Sequence, residues 1–359
     1  MAAVTDGGTG RDGPATVGPA GPGVRVAVVG TGLIGGSLLL RLRDGGLDVT
    51  GWDPDPTTRG HVRGWGVPCP DAVQEAVAGR DVVFLCGPLP TLPGMLARVG
   101  AATGEHCVLT DVGSTKAEVA AAASAQGLGH RFVPGHPMAG ADRAGSAAAD
   151  PGLLVGAAWV LCPGPAGLAA FRRLAALLIE VFRVRVVPMS APEHDAVAAL
   201  SSHVPHLLAG ALAGAVQRSE LRDAVLSLAA GSFTDGTRVA GGPPQRTANM
   251  LLGNRGRVLA GLADARAMLD ELADALRAGD AATLTARLAE GRTARAALVQ
   301  RTFAAHQREF PAGTDHAGEL AYLRQLGAAG GHLTGCRLTA GAVTYTGQLP
   351  QTVDPARSG

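Results

Sequence analysis

The sequence predicts an α/β protein: a doubly wound parallel sheet followed by an all-helical domain. Three observations lead there. Short β-rich apolar runs alternate with helix-like stretches as far as residue 187, a glycine-rich turn joins the first run to the first helix, and the strands stop after Pro188. Strands that alternate with helices imply a mostly parallel sheet covered on both faces.

The apolar runs fall at 24–29, 81–86, 106–110, 131–134, 157–162 and 183–187. Helix-like stretches at 34–44, 71–78, 115–126 and 167–180 separate most of them. Beyond Pro188 the segments 190–218, 219–231, 244–277 and 280–306 read as long Ala/Leu helices, with Gly279 as a stop signal. The expected organisation is a disordered Gly/Pro-rich leader over 1–23, a nucleotide-binding domain over 24–189 and a helical domain over 190–306. An irregular Gly/Thr-rich tail over 307–359 follows, with one helix near 317–326.

Composition narrows the function. Hydrophobic residues make up 47% of the 359, enough for a core, but aromatics are only 3%, so Ala, Val and Leu must build it. A net charge of +1, spread along the chain, lacks the basic footprint of a nucleic-acid binder. No apolar run reaches the roughly 18 residues of a membrane span, and the N-terminus lacks a secretory pattern. The five cysteines have no CxxC spacing and read as reduced thiols. A cytoplasmic enzyme without membrane or nucleic-acid partners is expected. Of the 31 basic residues only Lys116 is a lysine, which marks it for attention.

The strand–turn–helix VRVAVV-GTGLIG-GSLLLRLRD carries Gly30, Thr31, Gly32, Leu33, Ile34 and Gly35, the fingerprint of a Rossmann-like dinucleotide site. Gly30 permits the tight turn, Gly32 admits the pyrophosphate, and Gly35 lets helix pack on strand. The helix N-terminus supplies N–H groups for the phosphates. Asp53, 18 residues after Gly35, is placed to bind the ribose hydroxyls and favours NAD over NADP, a preference tempered by nearby Arg59.

Three unusual peptides stand at strand ends, where ligands of such sheets bind. In CGPLP (86–90), Pro88 sets backbone beside the nicotinamide position. In DVGSTK (111–116), Ser114 either bonds a substrate hydroxyl or caps the next helix, and Lys116 either attracts an anion or lies exposed. In GHPMAG (135–140), His136 sits between Gly135 and Pro137 with no core stripe to explain it. A neutral imidazole there suits proton abstraction from an alcohol. In the helical part, SSHVPHLLAG places His203 and His206 around Pro205, a proline that should kink the helix. No third ligand supports a metal, so none is expected. Arg238, in a Gly-rich turn, is either a surface arginine or a fork for a carboxylate.

Taken in order, GTGLIGGSL, DVGSTK, GHPMAG, SHVPH and FTDGTRVA resemble the prephenate dehydrogenase family, which includes arogenate and cyclohexadienyl dehydrogenases. The resemblance covers about residues 24–300. It implies a Rossmann-like domain, a helical dimerisation domain and a homodimer acting on a prephenate-like dicarboxylate with NAD. It implies that His136 bonds the substrate's C4 hydroxyl and assists hydride removal, with Ser114 near that hydroxyl. His206 and Arg238 then hold the carboxylate end. Gln245, Arg246 and Thr247 stand where many relatives have an acidic-Pro-aromatic pattern, so the side-chain pocket departs from the family. The tail, at 316–331, faintly resembles the first helix of a regulatory ACT domain, but is too short for a full copy. Two rival readings are a lysine-dependent β-hydroxyacid dehydrogenase or imine reductase, disfavoured because no lysine follows position 116, and a non-catalytic NAD-sensing regulator.

Overall fold

The computed structural model describes residues 23–140 and 143–351; the leader expected over 1–23 lies, but for Gly23, outside them. Strands β1 (Arg25–Val29), β2 (Asp48–Trp52), β3 (Val82–Leu85), β4 (Val108–Asp111) and β5 (Phe132–Val133) form a parallel sheet in the order β2-β1-β3-β4-β5. Val26, Val28, Phe84 and Leu85 are fully buried, as expected of strands covered on both faces. The helix Leu33–Asp44 covers one face with Leu38, Leu39 and Leu42. The helix Leu92–Ala102 packs Leu96 and Val99 on the other. The amphipathic helix Leu168–Phe182 extends the first of these layers with Phe171, Leu174 and Leu178.

The chain does not keep all its strands in one sheet. Strands β6 (Gly135–Pro137), β7 (Ala158–Leu161) and β8 (Arg185–Pro188) start a second sheet, with β6 antiparallel and β8 parallel to β7. The tail completes it. Instead of irregular chain, residues beyond 302 form β9 (Phe303–Pro311), a helix His316–Ala328, β10 (His332–Leu338) and β11 (Ala342–Pro350). The sheet order is β6-β7-β8-β10-β11-β9, with β10 joined to β8 through the pair Leu333 and Val186.

The tail expectation fails for a physical reason. A bulge between Leu333 and Gly335 breaks the period-2 pattern that would reveal β10, and most of β9 faces outward. The tail is tied to the first domain rather than appended to it. Leu320, Leu323, Leu326, Phe310 and Tyr345 share the core of Phe171 and Leu174. Buried Glu319 accepts hydrogen bonds from Arg172 Nε (2.8 Å) and from the Tyr345 hydroxyl (2.6 Å). A buried carboxylate needs such partners.

Between β8 and β9 lies the helical segment. Ser190 opens it with a capping box shared with Glu193. One long helix then runs from Ala191 to Gln217, interrupted over Ala199–His203 by a π-turn in which the Val204 N–H reaches the Ala199 carbonyl. Pro205 sits in the first turn beyond it. Proline has no N–H for the ladder and crowds the carbonyl four residues back, and the wider turn relieves both. By length and composition alone, an 18-residue stretch within this 27-residue helix is apolar enough to cross a membrane, with a mean hydropathy of 1.4, where no such run was expected from the sequence. Its charged residues are sparse, yet His194, Asp195 and His203 on it are buried against the first domain. The helices Pro244–Gly253 and Arg255–Ala278, expected as one, break at Asn254, and Ala281–Val299 follows.

Candidate active site

The site grows from the glycine turn. Gly30 has φ +93°, and a Cβ there would lie 2.8 Å from the Cys86 carbonyl carbon. At Gly35 it would lie 1.8 Å from the Gly30 carbonyl oxygen, so only glycine lets helix and strand meet. A Cβ at Gly32 would enter open space. Gly32 also heads the helix Leu33–Asp44 without any side-chain cap, so the first-turn N–H groups are available to an anion. Thr31 and Leu33 are buried and Ile34 half-buried around that turn.

Asp53, just past β2, accepts hydrogen bonds from the Thr31 N–H (2.8 Å) and the Asp55 N–H (3.0 Å), which fix its carboxylate beside the turn. Arg59 does not oppose it as a free cation. Its guanidinium donates to the Asp53 and Pro54 carbonyls and pairs with Asp71. The residues therefore fit a dinucleotide whose ribose hydroxyls meet a carboxylate.

The loops that follow β3 and β4 close on this turn. The 86–90 peptide lies between the Gly30 turn and the 111–116 loop, because Gly30 abuts Cys86 and Gly113 abuts Leu89. Exposed Pro88 opens the short helical turn Leu89–Thr91 on that peptide. Gly135, where a Cβ would come within 2.7 Å of the Asp111 carbonyl oxygen, brings β6 against the end of β4. Side chains bind these loops together. Asp111, fully buried, accepts from the Gly113 N–H (2.9 Å) and the Gly135 N–H (3.1 Å) and pairs with Lys116 Nζ.

Lys116 is fully enclosed and also donates to the Gly135 carbonyl (2.7 Å). It neither lies exposed nor stands free for a ligand anion, the two roles its sequence context allowed. A compact ammonium suits this enclosed pair of acceptors, Asp111 and the Gly135 carbonyl, better than a planar guanidinium fork. Ser114 is half-buried on this loop. It does not cap the helix Ala117–Ala125, whose N-cap is Lys116 and which has no side-chain cap.

His136 lies half-buried on β6. Its Nδ1 stands 2.8 Å from Nε2 of His194, and His194 Nδ1 stands 2.8 Å from Asp195 Oδ1. Asp195 in turn accepts from the Lys116 N–H (2.8 Å) and the Ala117 N–H (2.9 Å). Burial, with smaller effects from His194, Lys116 and His203, holds the His136 pKa well below the ordinary histidine value, so the ring is neutral at neutral pH. Burial pushes Asp195 upward, but its hydrogen bonds from His194 and the two amides outweigh it and hold the carboxyl below the usual range. Among the described residues His136 Nε2 makes no hydrogen bond, so it is the ring nitrogen open to a ligand.

The helical segment docks through the same residues. Asn254 Nδ2 donates to the Asp195 carbonyl (2.7 Å) and faces His203 Nδ1 at 3.1 Å. Burial lowers His203 to about 4. One turn on, half-buried His206 donates from Nδ1 to the Ser202 carbonyl (2.8 Å), leaving its Nε2 for a ligand. Arg238 is not in an open turn. It begins the short helical turn Arg238–Gly241, packed against the His206 helix, with an exposed guanidinium that has no partner among the described residues. The Ser114 main chain lies beside the His203 ring.

His136, Ser114 and the nucleotide turn are thus joined through shared loops, while His206 and Arg238 stand on adjoining helical elements. Sequence reasoning did not single out Asp111, His194, Asp195 or Asn254. The pair His194–Asp195 early in an Ala/Leu helix is the one available signal. Among the described residues no group of three His, Cys, Asp or Glu side chains is disposed to hold a metal.

Comparison with known proteins identifies the two domains. Residues 38–187 match the model of the prephenate dehydrogenase nucleotide-binding domain, and residues 190–290 that of the prephenate dehydrogenase dimerization domain. A cyclohexadienyl dehydrogenase of Zymomonas mobilis is 32% identical over 279 residues, 76% of this chain and 95% of the relative. An arogenate dehydrogenase structure from Synechocystis superposes with a TM-score of 0.66 at 28% identity, covering 76% of this chain and 99% of that one. A prephenate dehydrogenase structure from Aquifex aeolicus, in complex with hydroxyphenyl propionate and NAD+, gives 0.69 at 26% identity, covering 77% and 98%.

Proposed function

The chain belongs to the prephenate dehydrogenase family, an NAD-dependent oxidoreductase family, and from that premise we propose that it oxidises and decarboxylates prephenate to 4-hydroxyphenylpyruvate in the cytoplasm, as a step toward tyrosine. The observation that carries the reading is His136: a neutral ring with Nδ1 already engaged and Nε2 open. Bound at the glycine turn, NAD+ supplies the hydride acceptor. His136 takes the C4 hydroxyl proton, and Ser114 steadies the same hydroxyl. Loss of CO2 from the ring carbon and aromatisation then drive the reaction forward. Arg238 and His206 hold the carboxylate end, a charge-assisted contact suited to Arg238's exposed guanidinium.

The helical segment leaves Leu212, Leu228, Leu259, Leu276 and Leu288 exposed, a pattern that supports a homodimer through this segment. The strand–helix–strand–strand order of the tail supports its reading as a reduced ACT-like module.

Arogenate and 4-amino-4-deoxyprephenate are the alternative substrates, because Gln245, Arg246 and Thr247 alter the side-chain pocket. The test is NADH formation with each of the three substrates. Prephenate is expected to give the highest kcat/KM. A clear preference for another substrate replaces this assignment, and no turnover with any of them overturns the enzymatic reading in favour of an NAD-sensing regulator.

A further inference from the structure

The chain His136–His194–Asp195 has a direction, and that direction is set at its far end. Both Asp195 oxygens accept from N–H groups: Oδ1 from Lys116 and His194, Oδ2 from Ala117. These donors hold Asp195 as the carboxylate, which can only accept, so His194 carries its proton on Nδ1. With its ring proton on Nδ1, His194 presents a lone pair at Nε2. At 2.8 Å from that lone pair, His136 Nδ1 must be the donor. His136 Nε2 is consequently left unprotonated, and among the described residues it is the ring nitrogen without a partner.

We propose that His194 and Asp195 are positioning residues that fix the tautomer of His136 and take up the charge it acquires. This rests on the proton-accepting role given to His136 above. In the step, the substrate O–H bond breaks and an Nε2–H bond forms on His136. The positive ring keeps its Nδ1–H directed at His194. Transfer of that proton to His194 Nε2 moves the charge into contact with the Asp195 carboxylate, with no net change in protons.

Other groups facing this chain do not supply an alternative sink. Lys116 is paired with Asp111, His203 faces Asn254, His206 is bonded to Ser202, Glu193 is engaged by Ser190, and the buried Cys162 thiol is held neutral. Lys116 and His203 disfavour positive charge on His136. The acidic end of the chain offsets them.

The test reads the tautomer directly. In full-length enzyme labelled with 15N-histidine, with signals assigned through His136→Gln and His194→Gln, His136 is expected to be protonated at Nδ1 and bare at Nε2 at neutral pH. Asp195→Asn can keep its carbonyl at the position that accepts from Lys116 and His194 but removes the negative charge, so it should lower kcat by about 10²-fold or more while KM and NAD+ affinity stay within about 3-fold. His194→Gln keeps an acceptor for His136, so it should preserve the tautomer, lower kcat by only about 10-fold, and shift the acidic limb of the kcat profile to lower pH. An Nε2-protonated His136 in the unmodified enzyme, or an unchanged kcat in a folded Asp195→Asn, overturns the proposal. If Asp195→Asn does not fold, reversal of His136 in His194→Gln overturns it instead. The nitrogen signals need no turnover, so failure of the substrate assignment leaves this result readable.

Discussion

The two halves of the site are built from different materials. The nucleotide half is backbone: a glycine turn, an uncapped helix end and one carboxylate held by two amides, all within residues 25–55. The substrate half is side chains buried at a distance from one another in sequence, with Asp111, Lys116, His136, Asp195 and Asn254 locked by hydrogen bonds. A backbone site tolerates surface change but not an added carbon. A side-chain site tolerates local backbone adjustment but not an unpaired charge.

The sharpest separation of the halves should come from His136→Asn. We expect kcat to fall by about 10² to 10⁴ with NAD+ binding unchanged in calorimetry, whereas Gly35→Val should abolish NAD+ binding because its side chain meets the Gly30 carbonyl. Loss of NAD+ affinity in His136→Asn would mean that the halves are not independent. Next in size is Lys116→Met. It leaves Asp111 buried and uncompensated, and urea denaturation should show a loss of about 3–5 kcal/mol. Lys116→Arg should not restore it.

The third effect is a pH dependence. His203 is depressed to about 4 in the fold against an ordinary histidine value of 6.5, so its stabilising contribution is present above pH 6.5 and is lost as the pH falls toward 4. Between these limits the ring takes up a proton in the unfolded chain but stays neutral in the core, and His203→Gln should remove a pH-dependent loss on the order of 3 kcal/mol from the unfolding curve. The smallest effect should be Arg238→Lys, which keeps the charge and loses the fork. KM for a dicarboxylate is expected to rise about 10-fold with kcat nearly constant.

The same contrast explains what the sequence could reveal. Gly30, Gly32, Gly35 and Asp53 lie close together along the chain, and each has a backbone reason to be the residue it is. His136 was visible because nothing about its loop explained it. His194 and Asp195 were not, because their function depends on a helix docking against β6 and the 111–116 loop, and no local pattern encodes that contact. Lys116 was noticed for its rarity, yet its partner Asp111 is five residues away across a turn whose closure only the fold shows. The tail escaped for another reason: a bulge in β10 and an outward-facing β9 erase the alternation by which strands are recognised.

That tail has a mechanical consequence. The chain leaves the first domain after β8 and re-enters the same sheet system at β9, so the helical segment is an insertion with two covalent crossings. A segment attached at one point can swivel. One attached at two is restrained at both ends, and the tail supplies the second restraint.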